Sequence, residues 1–128
     1  MMSPLLRLKS MSQSIWIDDI RRAWLTDGTL VRLIAQDGVS GVTSNPAIFE
    51  QAIAQHDDYA EAIAVLTRSP ISAAELYETL VADDIRTAAD SLLAVYANSD
   101  AAEGYVSLEV SPHLAHDSTA TVAEAVRL

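Results

Sequence analysis

The sequence contains no cysteine, which excludes disulfide bonds, thiolate nucleophiles and Cys-ligated metals and fits a reducing compartment. It has a single lysine, Lys9, and eight Lys and Arg in all against 18 Asp and Glu, for a formal net charge of −10. A surface of that sign supplies no cationic cluster for phosphate backbones or anionic lipid, so neither nucleic acid nor a membrane is expected as a partner. No apolar run approaches the ~18 residues of a membrane span. The opening residues 1–9 lack the long apolar core and small-residue cleavage site of a secretory signal. They are read with residues 10–12 as a flexible tail, and the cytoplasm is the default location. Repeats, low-complexity stretches and dividing linkers are absent as well.

What is present is a folding composition. Half of the 128 residues are hydrophobic and 20% are charged, enough for one domain that buries roughly two-thirds of its unfolded surface. Three short segments read as buried strands: residues 14–18, 39–43 and 105–110. Each is rich in apolar or β-branched residues and sharply bounded, by Asp18-Asp19, by Gly38 and Ser44-Asn45-Pro46, and by Gly104 and Ser111-Pro112. Such runs suit parallel strands covered by helices.

Helical patterns lie between and after them. Leu30, Leu33 and Ile34 fall at i, i+3, i+4, with Gly38 placed as a C-terminal cap. Ile48, Phe49, Ala52 and Ile53 form a second stripe, with Pro46 in the first turn. From Ala73 to Tyr96 the positions Val81, Ile85, Ala88, Leu92 and Tyr96 keep a helical period. Asp117 or Ser118 caps a last helix whose apolar side includes Val122, Ala125 and Val126. Strands alternating with helices predict an α/β fold with a parallel sheet. The last helix meets no stop signal before Leu128, and three strands leave a sheet edge uncovered. The chain is therefore expected to be the first part of a longer protein, able to self-associate through its open edge.

Polar residues stand at each strand end. Alternation puts Trp16 and Asp18 on one face, and Ser107 and Glu109 on one face. In a (β/α) barrel the catalytic groups sit on the rim formed by the carboxyl ends of the strands. Asp18, Asn45 and Glu109 converging there suit proton transfers on a polar substrate. Structural roles compete: Asn45 before Pro46 suits a helix N-cap, and so does Asp18 or Asp19. Glu109 in an apolar strand needs either an ion pair or a function, because an unpaired buried carboxylate is unfavourable. His113 and His116 have the spacing of two metal ligands but no evident third, so no metal site is assigned. Trp16 and Trp24 are read as core, and Asp83-Asp84 as a solvated helix face.

Three motifs in order, Ser14-Ile-Trp-Ile-Asp-Asp-Ile-Arg-Arg22, Gly41-Val-Thr-Ser-Asn-Pro-Ala-Ile-Phe49 and Gly104-Tyr-Val-Ser-Leu-Glu-Val-Ser-Pro-His-Leu-Ala-His-Asp117, resemble bacterial transaldolase. The Trp in the first strand is similar to one branch of that family, some members of which are fused to a phosphoglucose isomerase. The resemblance implies a (β/α)₈ TIM barrel, of which residues 13–128 would form about the first three β/α units. It implies transfer of a three-carbon dihydroxyacetone unit between sugar phosphates, from sedoheptulose 7-phosphate to glyceraldehyde 3-phosphate, in the pentose phosphate pathway. The family works through a lysine Schiff base, without metal or organic cofactor.

By motif position Asp18 is the implied proton shuttle, and Asn45, with Thr43 and Ser44 beside it, the implied substrate-binding group. Glu109 is implied to hold a catalytic water. The family's Schiff-base lysine lies on the next strand, in a segment resembling Ile-Lys-Ile-Pro that residues 1–128 do not contain. Its phosphate-binding Ser and Arg lie later still. Residues 1–128 alone are therefore expected to lack transaldolase activity. The competing expectation is a non-catalytic domain that acts by self-association or partner binding.

Overall fold

The computed structural model describes residues 3–128. Three strands, β1 (Ile15–Asp18), β2 (Val39–Thr43) and β3 (Tyr105–Ser107), form one parallel sheet in the order β1-β2-β3. Among the described residues seven helices accompany them: α1 (Pro4–Ser10), α2 (Arg22–Thr26), α3 (Thr29–Asp37), α4 (Pro46–Gln55), α5 (Ala60–Leu66), α6 (Ala73–Asn98) and α7 (Ser118–Arg127), with 3₁₀ turns at Asp57–Tyr59 and Pro112–Leu114. The α/β class is as expected, and consecutive strands paired side by side are consistent with part of a TIM-barrel-family domain. The three strands do not close into a barrel. No helix among the described residues is long and apolar enough to cross a membrane.

The third strand is shorter than its sequence pattern. Its ladder ends at Ser107 because β2 ends at Thr43, and the Ser107 carbonyl accepts the buried Ser44 hydroxyl at 2.7 Å. Beyond that point the alternation of exposure persists through Val110 without a partner strand. Register sets the two faces. Ile17, Val42 and Val106 turn toward the helices and pack with Ile20, Phe49, Val81 and Leu92 in the main core. On the other face, Trp16 stands opposite Gly41 and Gly41 opposite Tyr105; one row further on, Asp18 stands opposite Thr43 and Thr43 opposite Ser107.

Gly41 is what lets the first of these rows form. A Cβ there would meet the fused edge of the Trp16 indole at 2.4 Å. The indole therefore lies over a strand position that admits no side chain. This corrects the reading of Trp16 as core: it is 39% exposed. Trp24 is half-buried in α2.

The helices follow their caps. Ser72 and Glu75 make a reciprocal capping box that starts the 26-residue α6, satisfying donors a helix start otherwise leaves unpaired. Gly38, at φ +75°, ends α3 by donating its N–H to the Leu33 carbonyl, a left-handed cap that glycine adopts without strain. Two expectations fail. The N-terminal segment is not a loose tail from residue 3 onward: Ser3 caps α1, and Leu6 and Lys9 of that helix lie against Gly38. In α7 the expected apolar side faces outward, with Val122 63% and Val126 83% exposed.

Candidate active site at the strand carboxyl ends

The row Asp18–Thr43–Ser107 closes the three strands at one rim. Asp18 is exposed there, and its Oδ1 accepts a hydrogen bond from Thr43 Oγ1 at 2.7 Å. A hydroxyl donating to a carboxylate is among the stronger neutral-to-ion contacts, and this one fixes Oδ1 of an otherwise exposed side chain. Ser44 is 1% exposed and spends its hydroxyl on the Ser107 carbonyl, so it braces the rim rather than facing it. Asn45 follows directly and caps α4, its Oδ1 accepting from Ile48 N at 3.0 Å. The cap orients the amide and leaves Nδ2 to donate elsewhere.

Glu109 differs from its expected setting. It lies two residues past β3 and is exposed, so burial places no demand for an ion pair on it. It borders a groove of about 520 Å³ with Pro46, Tyr77, Leu108, His113 and Arg127. Neither Asp18 nor Asn45 lines that groove. The structure thus joins Asp18 and Thr43 directly and sets Asn45 and Glu109 beyond the carboxyl ends of the neighbouring strands, without a hydrogen bond between the three expected site residues. His113 and His116 gain no third ligand: among the described residues no group of three His, Cys, Asp or Glu side chains could hold a metal ion.

Lys9 sits at the opposite end of the sheet. Its Nζ donates to the Gly38 carbonyl at 3.3 Å and pairs with Glu103 Oε2 at 3.5 Å. Glu103 Oε1 in turn accepts from Ser14 Oγ at 2.7 Å. Gly38 precedes β2 and Thr43 ends it, so about 16 Å of strand separates the ammonium's anchor from the rim.

Behind the rim, five residues assemble a polar cluster that sequence reasoning missed. Asp84 is only 3% exposed, contrary to its reading as solvated. Its Oδ1 accepts from Arg22 Nε at 2.8 Å and its Oδ2 from the Tyr59 hydroxyl at 2.7 Å. Arg22 also donates Nη2 to the Leu80 carbonyl at 3.1 Å, and its guanidinium lies 4.7 Å from the Tyr59 ring centroid. Burial pushes the Asp84 carboxyl above the usual carboxylate range, opposed by the Tyr59 and Arg22 contacts. Burial, then Asp84, pushes the Tyr59 hydroxyl well above its ordinary value. Next to them, Arg21 grips Asp58 through Nε at 2.6 Å and Nη2 at 3.1 Å and holds that carboxyl below its usual range. The partners lie 37 and 62 residues apart, and the local signals were the Arg21-Arg22 doublet soon after β1 and the place of Asp84 on the helical stripe of Leu80, Ala88 and Leu92.

A parallel α/β unit with its polar side chains at the strand carboxyl ends belongs to the class of protein whose site lies on that rim. Residues 15–128 match the family described as Transaldolase/Fructose-6-phosphate aldolase, and the chain belongs to that family. It is similar to the transaldolase of Thiobacillus denitrificans, 50% identical over 118 residues that cover 92% of this chain and 33% of that protein. The transaldolase of Neisseria gonorrhoeae is 45% identical over 121 residues, covering 94% and 34%. Transaldolase 2 of Streptomyces coelicolor is 44% identical over 128 residues, covering 100% and 34%. The chain spans about a third of the length of these curated relatives.

Proposed function

We propose that these residues form the first three β/α units of a TIM-barrel transaldolase, of the branch with Trp in its first strand, acting in the cytoplasmic pentose phosphate pathway. The observation that carries this reading is the Asp18–Thr43 hydrogen bond at the carboxyl rim, in a chain of the transaldolase family. In the reaction a ketose phosphate is held as an iminium on a lysine outside residues 1–128. Asp18 takes the proton of the hydroxyl next to the C–C bond that breaks. The bond's electron pair moves into the iminium and leaves an enamine, and the aldehyde departs. Addition to the acceptor aldehyde runs the same steps backward, with Asp18 returning the proton. Thr43 fixes the Asp18 carboxylate, Asn45 hydrogen-bonds the three-carbon unit, and Glu109 holds the water that forms and cleaves the imine.

On this reading the labour is divided along the substrate. Arg21 and Arg22 leave the first strand beside the rim, yet their guanidinium groups are spent on Asp58 and Asp84. This part of the barrel therefore serves the carbonyl end of the sugar phosphate, and other units bind the phosphate. Substitution of Asp18 tests the reading in a protein that joins residues 1–128 to the remaining family units. Asp18→Ala is expected to lower turnover roughly 10²–10⁴-fold, the usual worth of a positioned acid–base group, with little change in melting temperature. Turnover that survives Asp18→Ala overturns the reading.

One observation favours a second reading, a non-catalytic unit that self-associates. Trp16 and Tyr105 share one row of the sheet at 39% and 45% exposure, and among the described residues β1 and β3 each have one unpaired edge. Sedimentation of residues 1–128 separates the readings: a discrete dimer with a sharp melt supports self-association as the native state. Loosely packed or aggregated material fits a unit that the rest of a barrel completes.

A further inference from the structure

The short helix α2 has no means of its own to hold its start. It has five residues and no side-chain N-cap, well below the length at which a helix persists by itself. What it lacks arrives from far along the chain. Asp58, in the 3₁₀ turn, accepts the Ala23 N–H at 3.3 Å and so caps α2 in trans, while also gripping Arg21. Asp84, in α6, takes Arg22 from the other side, and Tyr59 lies under the guanidinium while donating its hydroxyl to the same carboxylate. Between these contacts and Asp18 lie only Asp19 and the buried Ile20.

We infer that Arg22, Asp84 and Tyr59, together with the Arg21–Asp58 pair, form a clamp that sets the loop between β1 and α2 and thereby positions Asp18. The link to chemistry rests on the proposed role of Asp18. Arginine is required for geometric reasons. One planar fork serves the Asp84 carboxylate, the Leu80 carbonyl and the Tyr59 face at once, and a lysine ammonium, a compact point charge, cannot reach all three. The clamp residues act through Asp18 and touch no substrate. They are positioning residues, and their effect belongs on the loop rather than on the whole fold.

Hydrogen exchange in the protein that joins residues 1–128 to the remaining family units tests this without turnover. The test compares Arg22→Lys and the milder Tyr59→Phe with Ser72→Ala, a control that weakens the remote start of α6. Arg22→Lys is expected to speed exchange of the Ala23 and Trp24 amides, which donate to Asp58 and to the Arg21 carbonyl, about tenfold or more, the scale of a lost charge-assisted hydrogen bond. The amides of Val42 and Leu92 should stay within about twofold of their original rates. Tyr59→Phe should act in the same place and more weakly, and Ser72→Ala should leave the Ala23 and Trp24 amides unchanged. A uniform acceleration across all amides in both clamp variants, or an unchanged loop, overturns the clamp. In the protein carrying the remaining family units, Arg22→Lys should lower kcat with KM unchanged. A loosened loop with unchanged kcat overturns the link to Asp18, whereas an unsubstituted protein without transaldolase turnover overturns the reading of Asp18 and leaves the clamp to the exchange result.

Discussion

Thr43 Oγ1 donates to Asp18 Oδ1 at 2.7 Å across the β1–β2 register. The two residues lie 25 positions apart in sequence and become neighbours only because parallel pairing sets Asp18 opposite Thr43. The hydrogen bond restricts the carboxylate's rotation about its χ2.

Thr43→Val tests that restraint. The substitution keeps the β-branched shape on the strand and removes the donor, so turnover of the complete enzyme is expected to fall about tenfold, the worth of one hydrogen bond to a charged group. Thr43→Ser should retain most of the rate. Steady-state kinetics of the two variants side by side would read the difference, and equal rates for both would show that the hydroxyl is idle.

Gly41→Ala should be destabilising out of proportion to one methyl group. The added Cβ would lie 2.4 Å from two atoms of the Trp16 indole, so the ring must leave its seat, at about 1–3 kcal/mol for overpacking. In a Trp16→Ala background the same change should be nearly neutral. Urea unfolding of the four proteins in this double-mutant cycle measures the coupling, and additive effects would refute the packing.

Acid should weaken the clamp through Asp58. Arg21 lowers the folded-state pKa of this carboxyl below its unfolded value, so its contribution to stability is complete above the unfolded value of about 4. That contribution is lost as pH falls through the lower folded value, because the unfolded state then binds the proton more readily. Melting temperature followed from pH 6 to pH 2, about the span of carboxyl titration, should fall less steeply in Asp58→Asn than in the unsubstituted chain. Identical slopes would remove Asp58 from the acid response.

Ser72→Ala removes one half of the α6 capping box. The expected loss is about 1 kcal/mol, typical of an N-cap, read as a lower urea midpoint with an unchanged slope.

Periodicity explains which features were legible in the sequence. β2 was found at its observed bounds because Gly38 and Ser44-Asn45-Pro46 stop the chain locally, and α6 because its buried positions repeat every three or four residues over 26 residues. The end of β3 was not legible, since it depends on where β2 stops and on Ser44 taking the Ser107 carbonyl. Asp18 and Asn45 were visible from their strand-end positions, and the Asn45 cap from Pro46. The partnership of Asp18 with Thr43 required the register. Asp84 was misjudged because its neighbour Asp83 is exposed on the same helix. Asp84 falls on the buried stripe with Leu80, Ala88 and Leu92, and Arg22 and Tyr59 supply the partners that let a carboxylate sit there. Lys9 and α1 were missed because the anchor of that segment is the Gly38 carbonyl on a distant turn.

Borohydride trapping tests the central claim most directly, that this chain supplies the proton-handling rim of a transaldolase while the imine-forming lysine lies elsewhere. The reduction would be run with fructose 6-phosphate, with adducts located by peptide mass mapping. Residues 1–128 should emerge unmodified, Lys9 included, because its ammonium is held by Glu103 and Gly38 at the far end of the sheet. Joined to the remaining family units, the same residues should accompany a specific adduct on a lysine beyond position 128. A saturable adduct on Lys9 of the 128-residue chain would contradict the account.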